Sequence, residues 1–249
     1  MQVIASDLMI SYTRAGKGKS VVILHGWGDN SASWQKFVTE LSKNYEVIVP
    51  DLPGFGGSQS PPAPWGLDEY AKLVATFMQK LKIKPYAIIG HSNGGAIAIR
   101  GLSTQRLSAS KLVLLSSAGI RGEYKGRNKM LRMITKTGKL LSSPLPKATK
   151  QRLRVKVYKT VGSDMLVAEH LQETFKKVVS DDVRTDAGRL KLPTLLIYGD
   201  KDTQTPLSYG RTYHELIKGS ELEVLQGIDH FVQLNAAPMI LKLVKGFLA

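Results

Sequence analysis

A single serine stands among glycines in Gly90-His91-Ser92-Asn93-Gly94-Gly95, directly after the apolar run Tyr86-Ala87-Ile88-Ile89. A serine hydroxyl becomes an effective nucleophile only when a neighbouring base takes its proton and an acid holds that base in place. Residues of both kinds occur late in the chain. Asp200 and Asp202 follow the apolar stretch Thr194-Leu195-Leu196-Ile197-Tyr198-Gly199, and His230 follows Glu223-Val224-Leu225-Gln226-Gly227. With no cysteine in the chain, a thiolate nucleophile, a disulfide and a thiolate zinc site are all excluded. Glycines two residues either side of Ser92 remove Cβ atoms that would collide if a strand turned sharply into a helix. A serine in such a turn also suits a helix cap, so the rest of the chain must decide between the two.

The elements around these residues alternate. Leu8–Ala15 and Val21–Leu24 read as strands, the second buried on both faces, and the stretch 31–43 as a helix with Ser31 as its cap and Trp34, Phe37, Val38 and Leu41 on one face. Residues 45–50 form a further strand running into a Pro/Gly loop, an amphipathic helix starts near Asp68, and the run before Ser92 is a buried strand. After the serine come a helix, the strand Lys111–Leu115, and finally two strands and two helices from residue 193 onward. Such alternation predicts an α/β fold, a mostly parallel sheet with helices on both faces. The segment 121–189 contains no convincing strand and reads as several helices. It is expected to be an inserted helical lid at the mouth of the sheet, between core segments 1–120 and 190–249.

Composition narrows the class. At 249 residues, with 43% hydrophobic and 22% charged residues, the chain fits one soluble domain with an insertion. No leader or membrane span is evident, so a cytoplasmic location is expected. The net charge of +15 is concentrated: residues 121–159 hold thirteen Lys and Arg against one acid, Glu123, leaving 22 basic and 19 acidic residues elsewhere. That segment would attract an acidic protein or an anionic membrane surface. A nucleic-acid role is not expected, because residues 147–159 contain one aromatic and match no recognition module. The five histidines lack metal-ligand spacing, so no zinc site, metal or cofactor is expected. His91 is read as structural, with its side chain directed away from Ser92, and His170 and His214 as ordinary helix residues.

Taken together, His25-Gly26-Trp27-Gly28 after one strand, Asp51-Leu52-Pro53-Gly54-Phe55-Gly56-Gly57-Ser58 after the next, the serine elbow, Gly199-Asp200-Lys201-Asp202 and Asp229-His230-Phe231 resemble an α/β-hydrolase along nearly the whole chain. The resemblance implies catalysis by Ser92, His230 and Asp202, in that family's chain order, with Asp202 favoured by the Gly-x-x-Asp spacing and Asp200 the alternative. It also implies oxyanion donors at the backbone of Trp27 and Asn93. His25 would order the oxyanion loop and border the substrate, and Met133 and Phe175 are candidates for the acyl pocket. Within the superfamily the motifs are similar to the pimeloyl-carrier-protein methyl ester esterases, whose basic lid holds an acidic acyl carrier protein. This chain departs from them with His91 and Asn93 where tryptophan and leucine are usual. The activity implied is carboxylic-ester hydrolysis on small or carrier-bound acyl groups. Carbon–carbon bond hydrolysis, lactone hydrolysis, and a ligand-receptor role with a retained triad are the alternatives.

Overall fold

Apolar runs flanked by turn residues have room to be buried on both sides only inside a sheet, and the computed structural model, which describes residues 1–121 and 168–249, places them there. Strands β3 (Ser20–Leu24), β4 (Glu46–Pro50), β5 (Pro85–His91), β6 (Lys111–Leu115), β7 (Thr194–Gly199) and β8 (Glu221–Leu225) run parallel. At one edge β2 (Leu8–Ala15) joins β4 antiparallel and carries β1 (Gln2–Ala5), giving the order β1-β2-β4-β3-β5-β6-β7-β8. The first strand escapes a sequence reading because its hairpin turn is made by Ser6 and Asp7 at φ 49° and 61°, with no glycine to announce it.

The order places β3 where the chain reverses its direction across the sheet. Right-handed crossovers that travel in opposite directions lie on opposite faces. Accordingly α1 (Gln35–Leu41) and α8 (Ala237–Leu248) cover one face, where Trp34, Phe37, Leu41, Ile240 and Val244 pack on Ile23, Val49, Ile89 and Ile197. Helices α2 (Leu67–Lys80), α3 (Asn93–Ser103), α5 (Arg184–Ala187) and α6 (Leu207–Leu216) form the other layer, while α4 (Gln172–Ser180) and the short α7 (Val232–Asn235) border the loops. The cap before α1 differs from expectation. Asn30, not Ser31, caps the 3-10 turn Ser31–Trp34, its Oδ1 accepting from the Ala32 N–H at 2.9 Å.

Backbone proximity divides the chain into two compact units, Met1–Ile120 with Glu173–Ala249, and Arg121–Gln172. Residues 173–189, expected to belong to the insertion, are therefore part of the sheet-bearing unit. The physical reason is an anchored return: Arg100 on α3 donates to Asp181 at 3.0 Å and to Asp186 at 2.9 Å, the Trp65 N–H donates to Thr174, and Lys177 donates to the Pro64 carbonyl. The helices expected around Met130 to Leu141, and Met133 itself, lie outside the described residues.

Candidate active site

In a parallel sheet the carboxyl ends of all strands open on one edge, and there the loops after β3, β5, β6, β7 and β8 gather. Ser92, between β5 and α3, adopts φ 50° and ψ −117°, a conformation L-residues rarely hold. It is over-determined by its surroundings. Its N–H donates to the Leu115 carbonyl at 3.0 Å, and its own carbonyl accepts from Ala118 at 2.9 Å and from Gly95 at 3.0 Å. The glycines are required by contact. A Cβ at Gly94 would lie 2.1 Å from the Leu24 carbonyl oxygen, one at Gly90 2.6 Å from the Gly95 Cα, and one at Gly95 2.3 Å from Ser117 Oγ. The serine is thus held at the tip of the elbow, and although it stands at the N-cap position of α3 its side chain makes no cap hydrogen bond.

A continuous relay leads from that tip into the interior. Ser92 Oγ lies 3.0 Å from His230 Nε2, and His230 Nδ1 lies 2.8 Å from Asp202 Oδ2. Asp202, only 4% exposed, is further held by the N–H groups of Gln204 and Thr205, each 2.8 Å from Oδ1. Burial raises the carboxyl's pKa, but the hydrogen bond from His230, attraction to that ring's protonated form and the Thr205 donors outweigh it, leaving Asp202 below the usual aspartate value and ionised. With the carboxylate facing Nδ1, the imidazole carries its proton there and presents an unprotonated Nε2 to the serine hydroxyl. Asp200 is placed elsewhere, its Oδ1 accepting from the Gly227 N–H at 2.6 Å. Of the two aspartates, Asp202 is the one within hydrogen-bond distance of His230.

Thr205 is the member of the relay that sequence reasoning missed. Its hydroxyl lies 2.7 Å from Asp202 Oδ2, 2.9 Å from the Ser116 carbonyl and 3.0 Å from His230 Nδ1. Its only sequence signal is a threonine before the proline that opens α6, which reads as an ordinary helix entry.

The loop after β3 abuts the serine: a Cβ at Gly26 would stand 3.2 Å from Ser92 Cβ. Trp27 follows it, and Asn93 begins α3, so its N–H has no partner inside the helix. The His25 ring is wholly buried, with Nδ1 donating to the Gly26 carbonyl at 2.7 Å and Nε2 accepting from the Leu52 N–H at 2.8 Å. Both nitrogens are used within the protein, tying the ring to this loop and to the next; burial also lowers its pKa and keeps it neutral. The loop it grips is itself held by Asp51, whose carboxylate accepts from Ser31 and Gly57. Phe175, half-buried, meets Trp27 at a tilt with 5.1 Å between centroids, and Trp27 meets Phe55 edge-on at 5.0 Å. His91 is buried beneath His230, its ring centroid 5.0 Å away. His214 bonds Ser220 and His170 is exposed; neither joins the site. Among the described residues no group of His, Asp and Glu is arranged to hold a metal, and no helix is long and apolar enough to cross a membrane.

Comparison with known proteins agrees with this architecture. The alpha/beta hydrolase fold family model matches residues 19–162, more than half of the chain, and the protein belongs to that family. It is 29% identical over 243 residues to an uncharacterised protein of Mycobacterium tuberculosis, covering 87% of this chain and 71% of the relative. It is 24% identical to the 2-hydroxy-6-oxo-2,4-heptadienoate hydrolase of Pseudomonas putida, covering 99% of this chain and 95% of that enzyme. Among solved structures it is similar to an esterase from Exiguobacterium antarcticum, with a TM-score of 0.79 and 23% identity over 99% of this chain and 98% of that one.

Proposed function

We propose that this hydrolase cleaves carboxylic esters through an acyl-enzyme on Ser92. The observation that carries the reading is the hydrogen-bonded chain from Asp202 through His230 to a strained, elbow-mounted Ser92. His230 Nε2 takes the hydroxyl proton as Oγ attacks the ester carbonyl, and Asp202 stabilises the imidazolium that results. The tetrahedral oxyanion is held by the backbone N–H groups of Trp27 and Asn93, the second at the positive end of α3. His230 then gives its proton to the departing alcohol. Water, deprotonated by the same nitrogen, attacks the acyl-enzyme and releases the acid, restoring Ser92. The aromatic pair Trp27 and Phe175 supports an apolar acyl wall beside the oxyanion loop. The basic segment 121–159 suits an acidic acyl carrier protein as donor of the acyl group, through salt-sensitive attraction.

A second reading is favoured by the relative from Pseudomonas putida, whose name describes hydrolysis of a 2-hydroxy-6-oxo-dienoate. Here the same relay would serve cleavage of a carbon–carbon bond in a vinylogous diketone. The test is a chromogenic ester series, acetyl through dodecanoyl, assayed beside such a diketone with wild type and Ser92→Ala. Ester turnover lost by more than about 10³-fold in the variant supports the proposal. Diketone turnover alone transfers the assignment to carbon–carbon hydrolysis. Inertness on both, with saturable ligand binding, would move it to a receptor role. Loss of carrier-protein binding between 50 and 300 mM salt, on the order of the screening expected of a charged surface, tests the basic segment.

A further inference from the structure

The proposed base is held from a second side by a residue outside the relay. His91 ends β5, immediately before the serine, and is 2% exposed. Its Nε2 lies 3.0 Å from the main-chain carbonyl oxygen of His230. A carbonyl only accepts, so Nε2 carries the ring proton and donates it. The other nitrogen, Nδ1, is buried with no hydrogen-bond partner and sits against the oxyanion loop, where a Cβ on Gly26 would stand 2.9 Å from it. A proton on Nδ1 would have no acceptor among the described residues, so the tautomer with its proton on Nε2 is the one that fits. The ring is walled further by Trp34, at 6.1 Å between centroids, and by the His230 ring itself.

We propose that His91 is a positioning residue for His230: its Nε2–H fixes the main chain of the base while its unprotonated edge seats the Gly26 loop, so that base, nucleophile and oxyanion donors share one rigid reference. This rests on the reading of Ser92 and His230 as nucleophile and base. His230 lies in a loop beyond β8, 138 residues from Ser92, and the relay fixes its ring only through side chains. A ring held at one end by Asp202 can still swing with its backbone; the bond from His91 removes that freedom. Burial, and repulsion from His230 whenever that ring is protonated, keep His91 neutral across the working range against the smaller opposing effects of Asp29 and Asp202, and a neutral ring adds no repulsion to the imidazolium formed during turnover.

The test is the rate at which a fluorophosphonate labels Ser92, which reads activation of the serine whatever acyl group is natural. His91→Met fills similar space without a donor, and His91→Gln carries an amide N–H close to the position of Nε2. The expected result is labelling about 10- to 100-fold slower in His91→Met, and within about 3-fold of wild type in His91→Gln. On any ester that wild type turns over, kcat is expected to fall in the Met variant with KM unchanged. Wild-type labelling in His91→Met, or equal slowing in both variants, would show that the ring only fills space and overturn the proposal. If His91→Met does not fold, His91→Asn replaces it, its amide one carbon short of the carbonyl, and the same comparison with Gln decides. Absence of labelling in wild type would instead remove the nucleophile assignment, and this proposal with it.

Discussion

Acid should weaken this protein through His91 before it touches the carboxylates. Burial, then the neighbouring His230, lower the His91 pKa from 6.5 to about 4. The unfolded chain therefore takes up a proton near pH 6.5 that the native chain refuses until about pH 4, so the stability contributed by this neutral ring is complete above 6.5 and is lost as the pH falls through that window. A difference of about 2.5 in pKa at about 1.4 kcal/mol each gives roughly 3.5 kcal/mol in full, about 3 of it lost by pH 4, a large share of a typical folding free energy of about 5–15 kcal/mol. His25, also lowered by burial, acts in the same direction. Urea unfolding at pH 7, 6, 5 and 4 measures the effect when wild type is compared with His91→Gln, which keeps the donor but cannot take the proton. Wild type is expected to lose about 3 kcal/mol more than the variant between pH 7 and pH 4, with the His25 contribution common to both. Asp202, with its pKa depressed, contributes at lower pH and in both proteins. Parallel stability curves for the two proteins would refute the reasoning, because they would mean that the ring is protonated in place without cost.

Three substitutions separate the other parts of the argument. Asp202→Asn is expected to lower kcat by about 10⁴-fold by presenting the wrong tautomer to Ser92, whereas Asp200→Asn, at a residue that only ties down Gly227, should leave turnover within about 3-fold; steady-state kinetics on one ester decides. Thr205→Val removes a buried hydroxyl from both Asp202 and the Ser116 carbonyl, and should cost about 1–3 kcal/mol in urea unfolding and about 10-fold in kcat, with KM unchanged and Thr205→Ser restoring both. Gly94→Ala sets a methyl 2.1 Å from the Leu24 carbonyl oxygen, where neither backbone can yield, and is expected to abolish soluble expression or lower Tm by well over 10 °C in a thermal melt.

What could be read from the sequence was whatever is local. The strand before Ser92, the glycines that permit its turn, and the alternation of elements follow from neighbours along the chain, and so did the placement of His230 beyond the last strand. Three things needed space as well as order. Thr205 gains its role only because β6 ends beside β7 and brings the Ser116 carbonyl to it. His25 has the sequence context of a site residue, yet the Leu52 N–H, contributed from the next loop, occupies its Nε2. The extent of the inserted segment turned on Arg100, whose three carboxylate partners Asp68, Asp181 and Asp186 are scattered over more than a hundred residues.

The same spatial problem explains why the loop carrying His230 is tied down so heavily. Strands β6 and β7 separate β5 from β8, so at roughly 4.8 Å per strand His230 must be carried back about 14 Å across the sheet edge to reach Ser92. A free loop of that reach would hold a histidine loosely. Here the crossing is pinned where it passes β7: the Lys201 N–H donates to the Ile228 carbonyl at 3.0 Å, and the Gly227 N–H to Asp200. The loop lies so close that a Cβ on Gly199 would stand 2.1 Å from the Ile228 oxygen, which makes that glycine a requirement of the crossing and not of a turn. Its far end is received by His91, on the strand that leads into Ser92. Each pin alone restrains one point; together they turn a long return path into a short lever with both ends fixed. Ser92, His230 and Asp202, which come from three separate loops, can then hold hydrogen-bond distances that a side-chain chain alone would not enforce.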